Sequence, residues 1–430
     1  MKYFSTNRSS PKADFRTATL NGQPDDKGLY FPETIPHLSD DLLNSFHEMP
    51  NDQIAYEVIK PYVGDAIDEE TLFNICKETV DFSFPLVEIS DRISALELFH
   101  GPTLAFKDVG ARFMSRCLRH FSQEKKEKTV VIVATSGDTG GAVAAGFHNV
   151  DGVDVVILYP KGKVSRLQEL QLTTLGGNIT ALEIRGTFDD CQALAKRALA
   201  DVELQKDVFL TSANSINVAR WLPQQFYYFF ALKQWKSEPP VFSVPSGNFG
   251  NICAGILANT SGMPAAGFIA ACNANAAVPD FLNTGEYKPR QSVSTLSNAM
   301  DVGDPSNFVR LLETFDHEFP RLKQSLSAVG VSDDETASTM RSVYNETGYI
   351  LDPHGAVAYR ALADHLDKRS DQRGIFLETA HPVKFDSVGE ILGTSGEIPG
   401  SLTSLFEKKK MATEIEADYS VVKDVILGGI

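Results

Sequence analysis

A chain of 430 residues is too long for one ordinary core and points to two or three domains, each able to bury apolar surface unaided. Its formal charge of -16, with 40 Lys and Arg dispersed among 56 Asp and Glu, excludes the basic face that a nucleic-acid partner requires. The five cysteines, Cys76, Cys117, Cys191, Cys253 and Cys272, are scattered, with no CxxC pair and no nearby His at metal spacing; this excludes a disulfide scaffold and leaves no metal site to expect.

The opening stretch MKYFSTNRSS lacks the apolar run of a signal peptide, and no segment is apolar enough to cross a bilayer. A cytoplasmic protein without a membrane partner is expected, monomer or homodimer. Residues 1–90 read as helical, with amphipathic runs at Asp40 to Phe46, Gln53 to Tyr62 and Glu69 to Val80 between Pro and Gly breaks. They carry no evident chemistry. From Thr129 onward the texture changes to short β-branched runs alternating with helical ones. The predicted strands are Thr129 to Ala134, Val153 to Tyr159, Ile179 to Ile184, Val208 to Thr211, Val241 to Val244, Phe268 to Ala271 and Ile375 to Glu378. Near-continuous apolar strands with helices between them predict parallel sheets covered on both faces, so the class is α/β. The late run LFEKKKMATE reads as solvated surface.

Three predicted strands end in small-residue turns that open onto helices: ATSGDTGG, PSGNFGN and TAHPVKF. Ligands of open parallel sheets sit beyond the carboxyl ends of the strands, so these turns are candidates to face one cleft. In the second turn, Gly247 and Gly250 let backbone N–H groups approach an anion, and the following helix adds favourable partial charge. Taken alone, that turn fits either a phosphate cup or a tight strand-to-helix connection. The segment ELFHGPTLAFKD sets Lys107 after an apolar stretch, where a lowered pKa would make it a nucleophilic amine able to form an imine; a single Lys is also an ordinary surface residue.

In order along the chain, HGPTLAFKD, ATSGDTG, SANSINVAR, PSGNFGN and TAHPVKF resemble the threonine synthase family, in the form with an extra amino-terminal segment. That family lies within the tryptophan-synthase-β-like enzymes, which use pyridoxal 5'-phosphate (PLP). The likeness runs from GLYFP to TAHPVKF and includes LYPKGKVSRLQ, LGGNI, TLSNAMDVG and HGAVAYRAL. It implies a PLP-dependent fold type II (tryptophan-synthase-β-like): two parallel-sheet domains plus a helical N-terminal segment. Residues 1–90 are then expected to form that segment, 91–128 with 215–430 a large PLP-binding domain, and 129–214 a small mobile α/β domain.

The resemblance implies roles residue by residue. Lys107 carries the cofactor as a Schiff base. Gly247, Asn248, Phe249, Gly250 and Asn251 hold its phosphate, and Thr379 meets the pyridine nitrogen. Asp138 stands where many relatives in the wider family have an Asn beside the ring oxygen. An ionised carboxylate there would repel a phenolate-like oxygen, so Asp138 is protonated, bridged by a donor, or turned away. Thr139, Asn214, Ser215 and Arg220 match positions that bind the substrate phosphate, and Ser136 and Gly137 border the α-carboxylate. Lys161 and Lys163 read as surface charges, and His100 and His381 as turn residues. The implied activity turns O-phosphohomoserine and water into L-threonine and phosphate by PLP-dependent γ-elimination and β-hydration, the last step of threonine biosynthesis. A phospholyase or hydroxyamino-acid dehydratase on the same fold is one rival, and a non-catalytic sensor of amino acid or phosphate is another. The run from Asn214 to Arg220 speaks against the dehydratase. The intact Lys107, Thr379 and glycine loop speak against the sensor.

Overall fold

The computed structural model describes residues 1–122 and 128–428. Residues 123–127 and 429–430, within the expected large domain, lie outside the described residues. Two parallel-rich sheets organise the molecule. The first comprises β4 (Leu86–Ser90), β5 (Ile93–Glu97), β10 (Val241–Pro245), β11 (Gly267–Cys272), β12 (Leu326–Gly330) and β13 (Gly374–Glu378), in the order β12-β11-β10-β13-β5-β4. All neighbours pair in parallel except β4 with β5, which form an antiparallel hairpin. The second sheet is wholly parallel: β6 (Thr129–Ala134), β7 (Val153–Pro160), β8 (Ile179–Arg185), β9 (Phe209–Ser212) and β14 (Thr413–Glu416), in the order β14-β8-β7-β6-β9.

The apolar runs explain the burial. Every residue of β6, TVVIVA, is buried, as expected of a strand covered on both faces. Two elements depart from the expected organisation. Residues 1–90 are not all helical: β1 (Lys2–Ser5), β2 (Ala13–Asp14) and β3 (Tyr30–Pro32) form a small antiparallel sheet, and β4 already belongs to the six-stranded one. The chain end, grouped above with the large domain, instead adds β14 to the edge of the five-stranded sheet. Only Ile415 of TEIE is buried, so β14 carries no apolar signal. Charge helps to hold it there. Glu414 pairs with Lys161 at 2.6 Å, Glu416 with Arg185 at 2.9 Å, and Lys410 with Glu169 and Glu183 at 2.6 and 2.8 Å. The run LFEKKKMATE is therefore a strap with specific partners. Among the described residues no helix is long and apolar enough to cross a membrane.

Candidate active site

A cavity of about 970 Å³ opens at the carboxyl ends of β6, β7, β9, β10 and β13, and its lining includes Ala134, Pro160, Ser212, Pro245 and Thr379. Lys107 begins the helix Lys107–Ser122 and reaches into this space. Two features set its position. Thr103 donates to Asp108 through its backbone N–H at 2.9 Å and its hydroxyl at 2.5 Å, pinning the turn before the helix. Leu104 adopts φ 56°, left-handed backbone that a branched side chain occupies only when its surroundings enforce it. Phe106 N–H then donates to Thr379 O at 2.9 Å, so the start of the Lys107 helix and the end of β13 are joined. The Lys107 side chain is 18% exposed. Burial lowers its amine below the ordinary lysine range; Asp138 opposes this, and Lys384 and Arg220 add to it.

Asp138 opens the helix Asp138–Phe147, after β6. Lys384 Nζ lies 2.7 Å from its Oδ1, and Gln168 Nε2 donates to the same oxygen at 2.9 Å. Its Oδ2 lies 3.7 Å from Lys107 Nζ. Burial would raise this carboxyl, but Lys384 and Lys107 outweigh burial and hold it well below the usual carboxylate range. Of the alternatives open from sequence, Asp138 is therefore ionised and bridged by donors. Gln168 closes the capping box of the helix Arg166–Thr173, so the cap and the Asp138 contact share one side chain.

The turn from Gly247 to Gly250 presents a cup of backbone amides suited to an anion. Its amides make no hydrogen bond within the chain among the described residues, and they lead into the helix Gly250–Thr260. Phe249 caps that helix in left-handed conformation, φ 61°, held by edge packing on Phe308 at 6.1 Å. Asn251 Oδ1 accepts from the Tyr228 hydroxyl at 2.9 Å, while its buried Nδ2 has no partner.

A second group of donors faces the cup. Thr139, Asn214, Ser215 and Arg220 all line the cavity, with Ser136 beside them. Ser215 Oγ accepts from Asn248 Nδ2 at 2.6 Å and from Asn307 Nδ2 at 3.3 Å, which links the two groups directly. Arg310, fully buried and 4.2 Å above the Trp221 ring, donates to Ile216 O at 2.6 Å and Tyr30 O at 3.1 Å and so fixes the loop that carries Ser215. Arg220 is not a surface residue. It is 4% exposed, has no carboxylate partner among the described residues, donates to Ala213 O and leaves its Nε unpaired. Burial brings its guanidinium down to about 10. A buried guanidinium so poorly satisfied suits an anion.

Gly137 is the one sequence-predicted site residue that the fold keeps from the cavity lining. Its N–H donates to Thr135 Oγ1 at 3.0 Å. At φ 138°, an added Cβ would meet the Gln168 side chain at 2.5 Å. Glycine is needed there for the close approach of Gln168.

Thr379 lines the cavity, and below it lies an acid cluster that sequence reading passes over. Glu378 is fully buried and accepts from Asp352 N–H at 2.7 Å. Burial and the neighbouring Asp352 push its carboxyl well above the usual range, and among the described residues Glu378 Oε2 and Asp352 Oδ2 have no hydrogen-bond partner. His354 also lines the cavity. Its Nδ1 lies 2.5 Å from Asp352 Oδ1 and its Nε2 accepts from Ala299 N–H at 3.2 Å, which defines a neutral imidazole with the proton on Nδ1. The signal for His354 lay in HGAVAYRAL, and the signal for Lys384 in TAHPVKF. His100 and His381 do not line the cavity. His381 caps Val383 N–H at 3.2 Å, and burial lowers its imidazole to about 4. Lys161 is bound to Glu414, but Lys163 lines the cavity mouth. The amino-terminal unit contributes Thr6, Asn7, Lys27 and Gly28 to the wall, which GLYFP alone did not disclose.

This combination of a buried lysine, a glycine cup and a hydroxyl at a strand end is that of pyridoxal-phosphate-dependent enzymes, and the family model described as "Pyridoxal-phosphate dependent enzyme" matches residues 88–376. The chain belongs to that class. Models for the threonine synthase N terminus and C-terminal region match residues 2–80 and 355–426, so the chain is a member of the threonine synthase family. Threonine synthases of Haemophilus influenzae and Escherichia coli are 42% and 41% identical to it, each alignment spanning 99% of this chain and 100% and 99% of theirs. The crystal structure of the Escherichia coli enzyme superposes with TM-score 0.93 over 100% of both chains. A PLP-bound threonine synthase from Brucella melitensis, 33% identical, superposes at 0.92 over 100% of this chain and 99% of its own. Threonine deaminase of Solanum lycopersicum, at 19% identity and TM-score 0.60, shares the fold.

Proposed function

We propose that this protein converts O-phosphohomoserine and water to L-threonine and phosphate. The observation that carries the reading is that one cavity is lined by the buried amine of Lys107 and by two sets of groups suited to anions, the turn at Gly247 to Asn251 and the set Thr139, Asn214, Ser215 and Arg220. One phosphate belongs to the cofactor and the other to the substrate. PLP fits the first group, because the free amides, the unpaired Asn251 Nδ2 and the cationic end of the helix Gly250–Thr260 all favour a dianion.

In this reading Lys107 holds the cofactor through its Nζ, and Thr379 offers its hydroxyl to the ring nitrogen. A neutral hydroxyl does not keep that nitrogen protonated as a carboxylate would. Bound PLP supplies an electron sink that stabilises negative charge at the substrate α-carbon. With its amine free, Lys107 would take the α-proton and later return it. Arg220, Ser215, Asn214 and Thr139 hold the phosphate and meet the charge it gains as the bond to the γ-carbon breaks. Ser215 is suited to this, since Asn248 and Asn307 both donate to its hydroxyl and, among the described residues, its own hydrogen has no acceptor. Loss of a proton from the β-carbon accompanies departure of the phosphate, which leaves with the electron pair of its bond to the γ-carbon; the γ-carbon then takes up a proton and water adds its oxygen at the β-carbon. Closure of the five-stranded unit, which carries Ser136, Asp138 and Thr139, excludes bulk water during these steps.

The test is product analysis on PLP-loaded protein given O-phosphohomoserine, with Lys107→Ala as control. Threonine and phosphate in equal amounts, absent in the control, support the reading. Phosphate with 2-oxobutyrate would make the protein a phospholyase, and no phosphate would return it to the sensors.

A further inference from the structure

Lys384 is a fully buried lysine on the turn Pro382–Lys384 that follows β13. Its Nζ donates to Thr103 O at 2.8 Å and stands 2.7 Å from Asp138 Oδ1, the oxygen that also accepts from Gln168. Asp138 thus has two donors on Oδ1, while Oδ2, at 3.7 Å from Lys107 Nζ, is outside hydrogen-bond range of that amine. Burying an ammonium is costly, and a neutral donor would satisfy Thr103 O equally well, so the charge itself calls for a purpose.

We propose that Lys384 is a positioning residue for Lys107: by engaging the Asp138 carboxylate at closer range it competes for the one anionic partner that Lys107 has among the described residues, so that the Lys107 amine meets an aldehyde as the free base. The inference rests on Lys107 being the cofactor lysine. The charged groups that face Lys107 are Asp138 from the helix Asp138–Phe147, Lys384 from the turn after β13, and Arg220 from the helix Val218–Trp221; the neighbouring Asp108 is turned to Thr103. Two of the three oppose a proton on Nζ, in line with the lowered amine. The step served is imine formation. The Nζ lone pair forms the C–N bond to the aldehyde carbon, and both amine hydrogens leave with the aldehyde oxygen as water. An ammonium has no lone pair and must first give a proton to solvent.

The experiment uses full-length protein freed of cofactor. Reductive methylation with isotopically labelled formaldehyde and cyanoborohydride is followed at Lys107 by peptide mass spectrometry as a function of pH, with exposed Lys206 as internal standard. Wild-type Lys107 reacts with an inflection below the ordinary lysine range. In Lys384→Met the carboxylate is left to Lys107, the inflection moves up, and labelling at neutral pH falls by about tenfold or more. Asp138→Asn/Lys384→Met, which removes both charges, returns the inflection toward wild type. A purely structural role would not give that reversal. Lys384→Gln keeps a donor for Thr103 O and serves if the Met variant does not fold. An unchanged inflection in either folded single variant overturns the proposal. Borohydride trapping of PLP on a lysine other than Lys107 in the wild-type holoenzyme would instead overturn the assignment beneath it.

Discussion

Gly247 and Gly250 occupy the same cup, yet the structure assigns them opposite tolerance to a methyl group. A Cβ on Gly247 would stand 2.5 Å from Met300 Cα, 3.1 Å from Met300 Cβ and 3.2 Å from Ala299 O. Carbon atoms pack at about 3.5–4.0 Å, so one side must retreat by roughly 1 Å. The turn Asn298–Met300 is poorly able to do so. Ala299 N–H is held by His354 Nε2, and the adjoining Asp301 accepts from Thr295 Oγ1 at 2.7 Å and Asn273 Nδ2 at 3.0 Å. The displacement therefore falls on the glycine loop and splays the amides meant for the cofactor phosphate. Overpacking of this kind costs about 1–3 kcal/mol, which lost from binding weakens PLP by about 10- to 100-fold. At Gly250 the nearest atom to an added Cβ is Asn307 Nδ2 at 3.4 Å, an ordinary contact, and Ala is the better helix former by about 0.5–1 kcal/mol. Gly250→Ala should keep the PLP Kd within about twofold of wild type, since it adds no clash. The assay is titration of cofactor-free protein with PLP, read by absorbance, alongside thermal melting without cofactor. If Gly247→Ala binds PLP as wild type does, or Gly250→Ala is the weaker of the two, the reasoning about the cup is wrong.

Arg220→Lys keeps the charge but loses the planar array of donors. With charged hydrogen bonds worth about 1.5–3 kcal/mol each, kcat/KM for the phosphorylated substrate should fall about 10- to 100-fold while PLP affinity holds; unchanged steady-state kinetics would remove Arg220 from the phosphate site. Glu378→Gln tests the raised carboxyl of Glu378 through pH. The unfolded chain ionises Glu378 near the ordinary value, whereas the fold retains its proton to higher pH, so wild-type stability declines as pH climbs above that range. The amide removes this loss: the variant's melting midpoint should exceed wild type at neutral pH, and the gap should close below about pH 4. A gap independent of pH would show that Glu378 is ionised in the fold. Asn217 accepts from Ala219 N–H at 3.0 Å and donates to Thr19 O at 2.9 Å, tying the amino-terminal unit to the Arg220 helix. Asn217→Ala should lower unfolding free energy by about 1–2 kcal/mol in denaturant titration, and a smaller loss would mean the tie is dispensable.

The sequence by itself determined the α/β class, seven of the parallel strands and which strand-end turns face one cavity. Strands such as Val131 to Val133 and Phe376 to Leu377 are buried on both faces, so apolar residues run without interruption and are visible from composition alone. The glycine turns were legible as small-residue runs after strands, although what requires glycine at Gly137 and Gly247 is the close approach of Gln168 and Met300, which the fold supplies. The edge strands β14, β12 and β4 escaped, because an edge needs only one buried face and TEIE is docked by charges from residues more than two hundred positions away; β5 escaped as well, although Ile93 to Leu96 are buried.

Tertiary structure alone decided the electrostatics. Sequence left Asp138 protonated, bridged or turned away, since nothing local to TSGDTG says what lies opposite. Only the fold brings Lys384, from a turn after the last strand of the other sheet, to 2.7 Å from its carboxylate. It likewise made Arg220 a buried, underused guanidinium and left Gly137 out of the cavity lining. A side chain's protonation and partners depend on the burial and the charges around it, and those are supplied by segments that only the completed fold makes neighbours.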